Sequence, residues 1–297
     1  MTVNTVALER GIKTEFNKAY AALLTEVGVD DIMAVATVVP STGTDEKYGF
    51  LGDIPAFQEW VGDKVYGDLI DYDYTITNKD FYSGIGIDRN EIEDDRMGII
   101  MPRIQMLAAM AAAYEVEMVE DLLSAGTSDT AYDSSAFFAN RTAPNDNLLS
   151  GTGVSTLAVV KADIYSTRST MAQFTSDKGR LLRVRMDSIA CPPEAEGIFM
   201  EAVTTAQGLH TTAGVMNPIR AWIKRVIMVP QLTDANDWYG FDASKPLRPF
   251  IYQRRKAITT QLDDTEVKKN RHYYFSAELR GRAGYGLPQL AAKVVSS

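Results

Sequence analysis

Apolar positions in the first 34 residues recur at close to helical spacing. Val6, Ile12, Phe16, Tyr20, Leu23, Leu24 and Val27 follow three- and four-residue steps, and Gly28 fits a C-terminal stop, so this stretch reads as an amphipathic arm. From Met33 to about Asp80 the pattern changes to short extended pieces, MAVATVVP and YDYTITNKDF. Between them lie STGTDEKYG and an apolar stretch with Phe50, Leu51, Ile54, Phe57, Trp60 and Val61. A two-stranded excursion of this size is not stable alone in water, so its apolar side chains must lie either on this chain's own core or on a neighbouring subunit.

The segment IDRNEIEDDR then gathers Asp88, Glu91, Glu93, Asp94 and Asp95 ahead of an apolar-periodic run, where the positive end of a helix dipole favours negative charge. Ile100, Ile104, Leu107, Ala108, Ala111, Met118, Leu122 and Leu123 keep one face apolar as far as Gly126. This predicts a helix of about 25 residues, a rod on the order of 40 Å, with Pro102 within or near its first turn. Alanines at 108, 109, 111, 112 and 113 let other backbone come close. The middle of the chain, about 130–235, alternates. It reads as a loop to Gly153, a helix from Leu157 to Phe174, a strand LLRVRMDSIAC, a helix opened by Pro192, Pro193 and Glu194, and a strand AWIKRVIMVP. The last 60 residues read as the strands PLRPFIYQRRKAITTQL and NRHYYFSAELRGRAGYGL, joined by a polar turn from Asp263 to Asn270.

Composition narrows the classes of function. The chain has 297 residues, 45% hydrophobic and 23% charged, enough apolar material to bury a large core. One cysteine and two histidines cannot supply a structural zinc site or a disulfide. No apolar run reaches the length of a membrane span, since Ile99 to Tyr114 is interrupted by Arg103 and Gln105, and the N-terminus has no signal-peptide core, so synthesis and folding in the cytoplasm are expected. The net charge of −9 is unevenly spread. Residues 1–150 carry 26 acidic and 10 basic side chains, a balance of −16, and residues 151–297 carry 13 and 20, a balance of +7. Such a split permits head-to-tail complementarity between copies of one chain, and an acidic total argues against a dedicated nucleic-acid reader.

The chemistry of an active site does not assemble. There is no nucleophile motif; Cys191 reads as a buried inert thiol, and His210 and His272 lack metal-ligand spacing. Of the glycine-rich stretches, Gly84-Ile-Gly86, Gly151-Thr-Gly153 and Gly281 to Gly286, only the second opens a helix, and neither a P-loop lysine nor a full dinucleotide fingerprint follows it. The carboxylates at 88–95 could be read as paired acids for glycoside or metal chemistry, but on one helix start they chiefly complement the dipole. No catalytic residue, cofactor or metal ligand is assigned.

Five segments carry a resemblance that spans almost the whole chain. They are ATVVPSTG with YGFLGDIPAFQEWVGDK within 36–64, YTITNKDFYSGIGIDRNEIEDDRMG at 74–98, LLSAG at 122–126, KPLRPFIYQRRK at 245–256 and RGRAGYGLPQLA at 280–291. Together they resemble the major head (capsid) proteins of Mu-like phages and prophages, which have the HK97-type capsid fold; the middle, about 140–240, matches mainly in element order. The resemblance implies an α+β chain divided into an N-terminal arm (1–34), an extended β-hairpin loop (35–80), a peripheral domain with a long spine helix (81–128 and 239–297) and an α/β axial domain (129–238). It implies a shell of hexamers and pentamers around double-stranded DNA, located in the virion head and assembled in the host cytoplasm, with scaffolding, portal and possibly decoration proteins as partners and no membrane. Because the chain starts directly at the arm, the resemblance implies either a separate scaffold or an already processed chain, with Met1 speaking against processing; no crosslinking motif is found. Beside the resemblance, the loop's homeless apolar side chains and the charge split nominate subunit-contact residues. Phe57 and Trp60 would sit on a neighbour, and Asp53, Glu59 and Asp63 would face Arg180, Arg183, Arg254 and Arg255. DNA would be touched only by weak, sequence-independent contacts on the inner face, with Arg185 beside Arg180 and Arg183 as the residues to test. The competing readings are an encapsulin-like shell around enzymes and, from another class, a carboxylate-dependent α/β enzyme.

Overall fold

The computed structural model describes residues 5–24, 32–51, 71–93, 97–176, 179–205, 217–265 and 270–296. Its longest pairing is an antiparallel hairpin between β9 (Phe250–Asp263) and β10 (His272–Tyr285), in register from Phe250↔Tyr285 to Asp263↔Tyr274 with a bulge near Arg280. β1 (Ala36–Pro40) joins β9 in parallel and β4 (Lys79–Asp88) joins β10 antiparallel, giving a four-stranded sheet ordered β1-β9-β10-β4. MAVATVVP, grouped above with the excursion, is therefore part of the main sheet. The excursion begins after Pro40 as the pair β2 (Asp45–Leu51) and β3 (Asp71–Thr77).

The arm forms a helix over Thr5–Leu24, and the predicted rod is a 29-residue helix over Met97–Ala125. Ile12 and Phe16 of the first meet Ile100, Ile104, Leu107 and Ala108 of the second, with Ile87, Tyr273 and Phe275 of the sheet beneath them. The ring of Phe16 stands edge-on to Phe275 at 5.9 Å. Asp88 accepts a hydrogen bond from the backbone of Asn90 at the start of a short helix, Arg89–Glu93, while Asp94 and Asp95 lie outside the described residues. Counted from Met97, Pro102 lies in the rod's second turn, near the first as expected, and its missing N–H leaves one backbone bond of the helix unmade. By length and composition the rod is also long and apolar enough to cross a membrane, despite Arg103. Burial of one side by the arm helix and the sheet accounts for that composition.

A second sheet, ordered β5-β11-β8-β6-β7, carries the middle of the chain. Its strands are short: β5 (Leu148–Gly151), β6 (Ser188–Cys191), β7 (Arg225–Met228), β8 (Trp238–Phe241) and β11 (Ala291–Ser296). Helices Leu157–Met171 and Glu196–Thr204, with a turn at Ile219–Trp222, share its second core around Phe174, Phe199, Ile219 and Trp238. In the predicted strand LLRVRMDSIAC only the last four residues enter the ladder. The alternation before them places Arg183 and Arg185 in solvent and Val184 and Met186 inside without strand pairing. In AWIKRVIMVP the first residues are helical, because the Asn217 side chain accepts from the backbone of Ile219 and starts a turn.

The two sheets meet at the end of the rod. Gly126 ends it where a Cβ would stand 2.6 Å from the ring of Phe138. The last carbonyls of a helix lack partners within it. Here Tyr285 of β10 donates to the carbonyl of Leu122 at 3.0 Å and Tyr239 of β8 to that of Leu123 at 3.3 Å, one tyrosine from each sheet. Around them pack Phe137, Phe138, Phe241 and Phe250, with the Phe137 and Tyr285 rings stacked at 4.6 Å. The connection 127–147 is held to this junction by Asn147, which donates to the carbonyls of Phe137, Pro288 and Ala291, and by Arg141, which clamps Asp133 and the carbonyls of Ala136 and Phe137.

Phe250→Ala should therefore destabilise the fold by about 3–5 kcal/mol, and Tyr285→Phe by about 0.5–1.5 kcal/mol, both read as denaturant midpoints. Equal small losses for the two would contradict a shared core at this junction.

Candidate assembly surfaces

The excursion is tied to the body by a buried polar knot. Gln253, fully buried on β9, accepts from the Tyr48 hydroxyl at 3.0 Å and donates to the Asn78 side chain at 2.7 Å and to the Ile76 carbonyl at 3.3 Å. Asn78 in turn donates to Ser41 Oγ and the carbonyl of Gly43. Glu46 accepts from Ser41 Oγ and from the backbone of Thr42 and Gly43. Those hydrogen bonds, with Arg255 nearby, hold its carboxyl below the usual range. The apolar side of the pair near its base lies on its own chain. Ile76 packs with Ile251, Val39 and Leu287, and Gly284 leaves the space Ile76 occupies, since a Cβ there would be 2.5 Å from the isoleucine's terminal carbon. The opposite side, Asp45, Lys47, Thr75 and Thr77, faces solvent.

The sequence-nominated contact residues separate into three groups. Asp53, Phe57, Glu59, Trp60 and Asp63 lie outside the described residues, as does His210. Arg180 and Arg183 are exposed beside the second sheet, with Arg185 on the same side of the chain as Arg183. Arg254 and Arg255 are neighbours on β9 with different fates. Arg254 forms a 2.5 Å ion pair with Glu115, a carboxylate nearly buried on the rod, and its guanidinium lies over Tyr252. Arg255 points to the excursion's base, donating to the Ser41 carbonyl at 3.3 Å. Arg254 is thus first an intrachain tie between rod and sheet.

Two features escaped the sequence reading. On the rod, Ile99, Met106 and Met110 are all more than half exposed although apolar. Beside Met110 a groove of 390 Å³ runs between Tyr114 and Phe81 of β4, with Tyr82 standing out at 84% exposure. Helical periodicity had marked the buried face and passed over the second, solvent-facing apolar stripe. The other feature is a mixed charge cluster in which Arg168 and Lys224 join Arg185, the one member the sequence had marked, around Asp187 and Asp242, whose oxygens also accept from Ser188, Ala243, Ser244 and the Arg185 backbone. The motifs weighed for chemistry are spent on structure. The Gly151–Gly153 loop gives the Thr152 backbone and hydroxyl to Asp163, so a carboxylate already fills the place an anion would need. Burial pushes the Cys191 thiol up to about 12, and His272 stacks on Tyr274. Among the described residues no group of three His, Cys, Asp or Glu is placed to hold a metal.

This architecture can be set beside known proteins. The family described as Mu-like prophage major head subunit gpT matches residues 6–158 and 230–296. The chain belongs to that family. The gpT match covers the arm helix, the excursion, the rod and the hairpin, and omits 159–229, which holds much of the second sheet's helical cover. Similar relatives include the Mu-like prophage FluMu major head subunit of Haemophilus influenzae, 28% identical over 265 residues, and the major capsid protein of Escherichia phage Mu, 26% identical over 266. Both alignments cover 88% of this chain but 64% and 65% of the relatives, so the chain spans just under two thirds of their length. Among solved structures it is similar to the bacteriophage JBD30 procapsid, with a TM-score of 0.55, 26% identity and coverage of 97% of this chain and 74% of that one. The virus-like particle from Pyrococcus furiosus gives 0.60 at 8% identity, covering 96% and 98%. The fold is the HK97-type capsid fold, mixed α+β as expected.

Gln253→Leu should leave the Tyr48 hydroxyl and the Asn78 side chain without their partner at a cost of about 1–3 kcal/mol per buried group. Limited proteolysis within 41–80 should then accelerate about tenfold while the remaining body stays resistant. Glu46 has a lowered folded pKa, so its contribution is complete at neutral pH and is lost only as pH falls below the ordinary carboxylate range. Cleavage that rises already near pH 6 would contradict that sign.

Proposed function

We propose that this chain is a head-shell subunit: many copies self-assemble, as hexamers and pentamers, into a closed icosahedral shell that encloses double-stranded DNA in the virion head. The observation that carries this reading is the gpT match across arm, excursion, rod and hairpin, on a fold it shares with capsid structures. The role is structural and not enzymatic. In this reading the arm is about 1–34 and the excursion reaches over a neighbour. The peripheral domain (81–128 and 239–297) holds the rod and most of the four-stranded sheet, whose β1 comes from the loop's segment, and the axial domain (129–238) holds most of the second sheet, to which the peripheral segment adds β11 and the greater part of β8. Assembly takes place in the host cytoplasm with a scaffolding protein, a portal and possibly a decoration protein as partners. An encapsulin-like shell around protein cargo draws support from the near-complete mutual coverage with the Pyrococcus furiosus particle. Portal and terminase genes beside this one would favour the DNA-filled shell.

In the proposed contacts Phe57 and Trp60 bury apolar surface on the neighbour, each worth roughly 2–3 kcal/mol, while Asp53, Glu59 and Asp63 face Arg180, Arg183 and Arg255, with Arg254 contributing the exposed part of its side chain. Single surface ion pairs contribute about 0–1 kcal/mol, but a shell repeats them at every contact. Sedimentation velocity tests this. The wild-type protein should form large particles, and Phe57→Ala with Trp60→Ala should leave a folded subunit that assembles weakly or not at all. Early assembly should slow as salt rises from roughly 50 to 500 mM, where screening shortens to a few ångströms. A double variant that unfolds while any folded fraction assembles normally would place both aromatics in the subunit's own core, and particles of normal yield would remove both from the contact.

DNA contact should be weak and without sequence preference, because an acidic shell repels close-packed phosphate. Binding of the soluble subunit to a random duplex at about 150 mM salt should be weaker than micromolar. Tighter binding that Arg183→Gln with Arg185→Gln abolishes would assign this exposed arginine pair to DNA.

A further inference from the structure

The arm helix and the four-stranded sheet cover one side of the rod, and a second stripe runs along its other side. Ile99, Arg103, Met106, Met110, Tyr114 and Glu117 follow one another at steps of three and four residues, so they share one helical face. Ile99, Met106 and Met110 are each more than half exposed, Arg103 and Glu117 are exposed, and Tyr114 walls the 390 Å³ groove opposite Phe81. Single exposed apolar side chains are ordinary on a folded protein, but three in line beside an apolar groove form the kind of contiguous patch that marks a contact. The charges on this stripe are as regularly placed. Arg103 lies seven positions before Met110 and Glu117 seven after it, while Met106 and Tyr114 lie four before and four after. Within its own subunit Arg103 makes a loose pair with Glu91 at 3.6 Å, with half of its side chain in solvent and guanidinium donors to spare.

We infer that the rod packs antiparallel against the rod of a second copy of this chain, across a two-fold axis that passes at Met110. The inference takes its partner from the shell reading, because a closed icosahedral shell contains two-fold axes and a contact across one must be made by a surface that complements itself. This stripe does so. In an antiparallel pair centred on Met110, each Arg103 stands opposite the partner's Glu117, and both ion pairs form at once. Each Met106 meets the partner's Tyr114 at the mouth of the groove, a thioether against an aromatic ring, and the two Met110 side chains meet on the axis. Turned parallel, the same two rods would set arginine beside arginine and glutamate beside glutamate, and like charges would oppose the contact. Packed helices lie about 8–10 Å apart from axis to axis, with each Cα about 2.3 Å from its axis, so the two residues at position 110 would have Cα atoms roughly 5 Å apart.

Met110→Cys tests the axis directly. That separation is one a disulfide spans, and the natural Cys191 is buried and does not compete. In particles treated with diamide, which takes up the two electrons and two protons of the thiols, most Met110→Cys subunits should run as covalent dimers. Met106→Cys, just as exposed but about 12 Å from its own copy in this register, should not. Charge gives a second readout, by sedimentation velocity. Glu117→Arg sets arginine against arginine at both ends of the contact and should weaken association about tenfold, and adding Arg103→Glu should recover it to within about threefold. Particles in which Met110→Cys forms no more covalent dimer than Met106→Cys would overturn the inference and leave the shell reading standing. If Met106 and Met110 of those particles were nonetheless protected from peroxide, the stripe would belong to another occupant, such as the excursion of a neighbour. Where Met110→Cys blocks particle formation, the charge swap decides, and a swapped protein that assembles no better than Glu117→Arg overturns the inference. Covalent dimers from a protein that forms no particles would keep the rod contact and refute the shell reading.

Discussion

The end of the rod is the constraint on which the rest of the molecule depends. A 29-residue helix ends with carbonyls that need donors, and here the donors are Tyr239 from one sheet and Tyr285 from the other. Two hydroxyls therefore fix the relative position of two sheets that share no strand. The rings beneath them, Phe137, Phe241 and Phe250, make that position a packed core rather than a hinge. The last strand repeats the tie, since Ala291–Ser296 follows directly on the hairpin's β10 and enters the second sheet. A body built this way holds its outer surfaces at set angles, which a closed shell requires of every copy.

On that body the charges divide by role. Glu115 and Arg254 are spent within the chain, holding rod to sheet, and Glu46 closes the base of the excursion. Arg183 and Arg185 are exposed, and on the rod the apolar stripe of Ile99, Met106 and Met110 gives way to the exposed Glu117 and Asp121 toward its end. A rod with one face buried in its own subunit and the other presenting apolar and then acidic surface has two sides to satisfy. Among the described residues only one of them is covered within the single chain.

Elements with strong periodicity were legible in the sequence. The arm helix, the rod and the β9–β10 hairpin fall where repeated apolar spacing and the polar turn at 263–270 put them, and the resemblance carried by segments such as KPLRPFIYQRRK led to the family. The second sheet was harder. Ser188–Cys191 and Trp238–Phe241 are four residues each and buried on both faces, so they show no alternation, and β5 and β11 look like the loop and tail they adjoin. Arg183 and Arg185 show the reverse error, an alternation with no ladder behind it. Of the nominated contact residues, Arg254 could not have been assigned to Glu115 from sequence, because 139 positions separate the partners.

The account's central claim is a shell built from this body, and electron cryomicroscopy of particles formed by the full chain tests it most directly. The reconstruction should show a closed icosahedral shell in which the two sheets keep the relation set by Tyr239 and Tyr285 and residues 41–80 lie against a neighbouring subunit. Open aggregates, a small discrete oligomer, or a shell in which that segment contacts only its own subunit would contradict it.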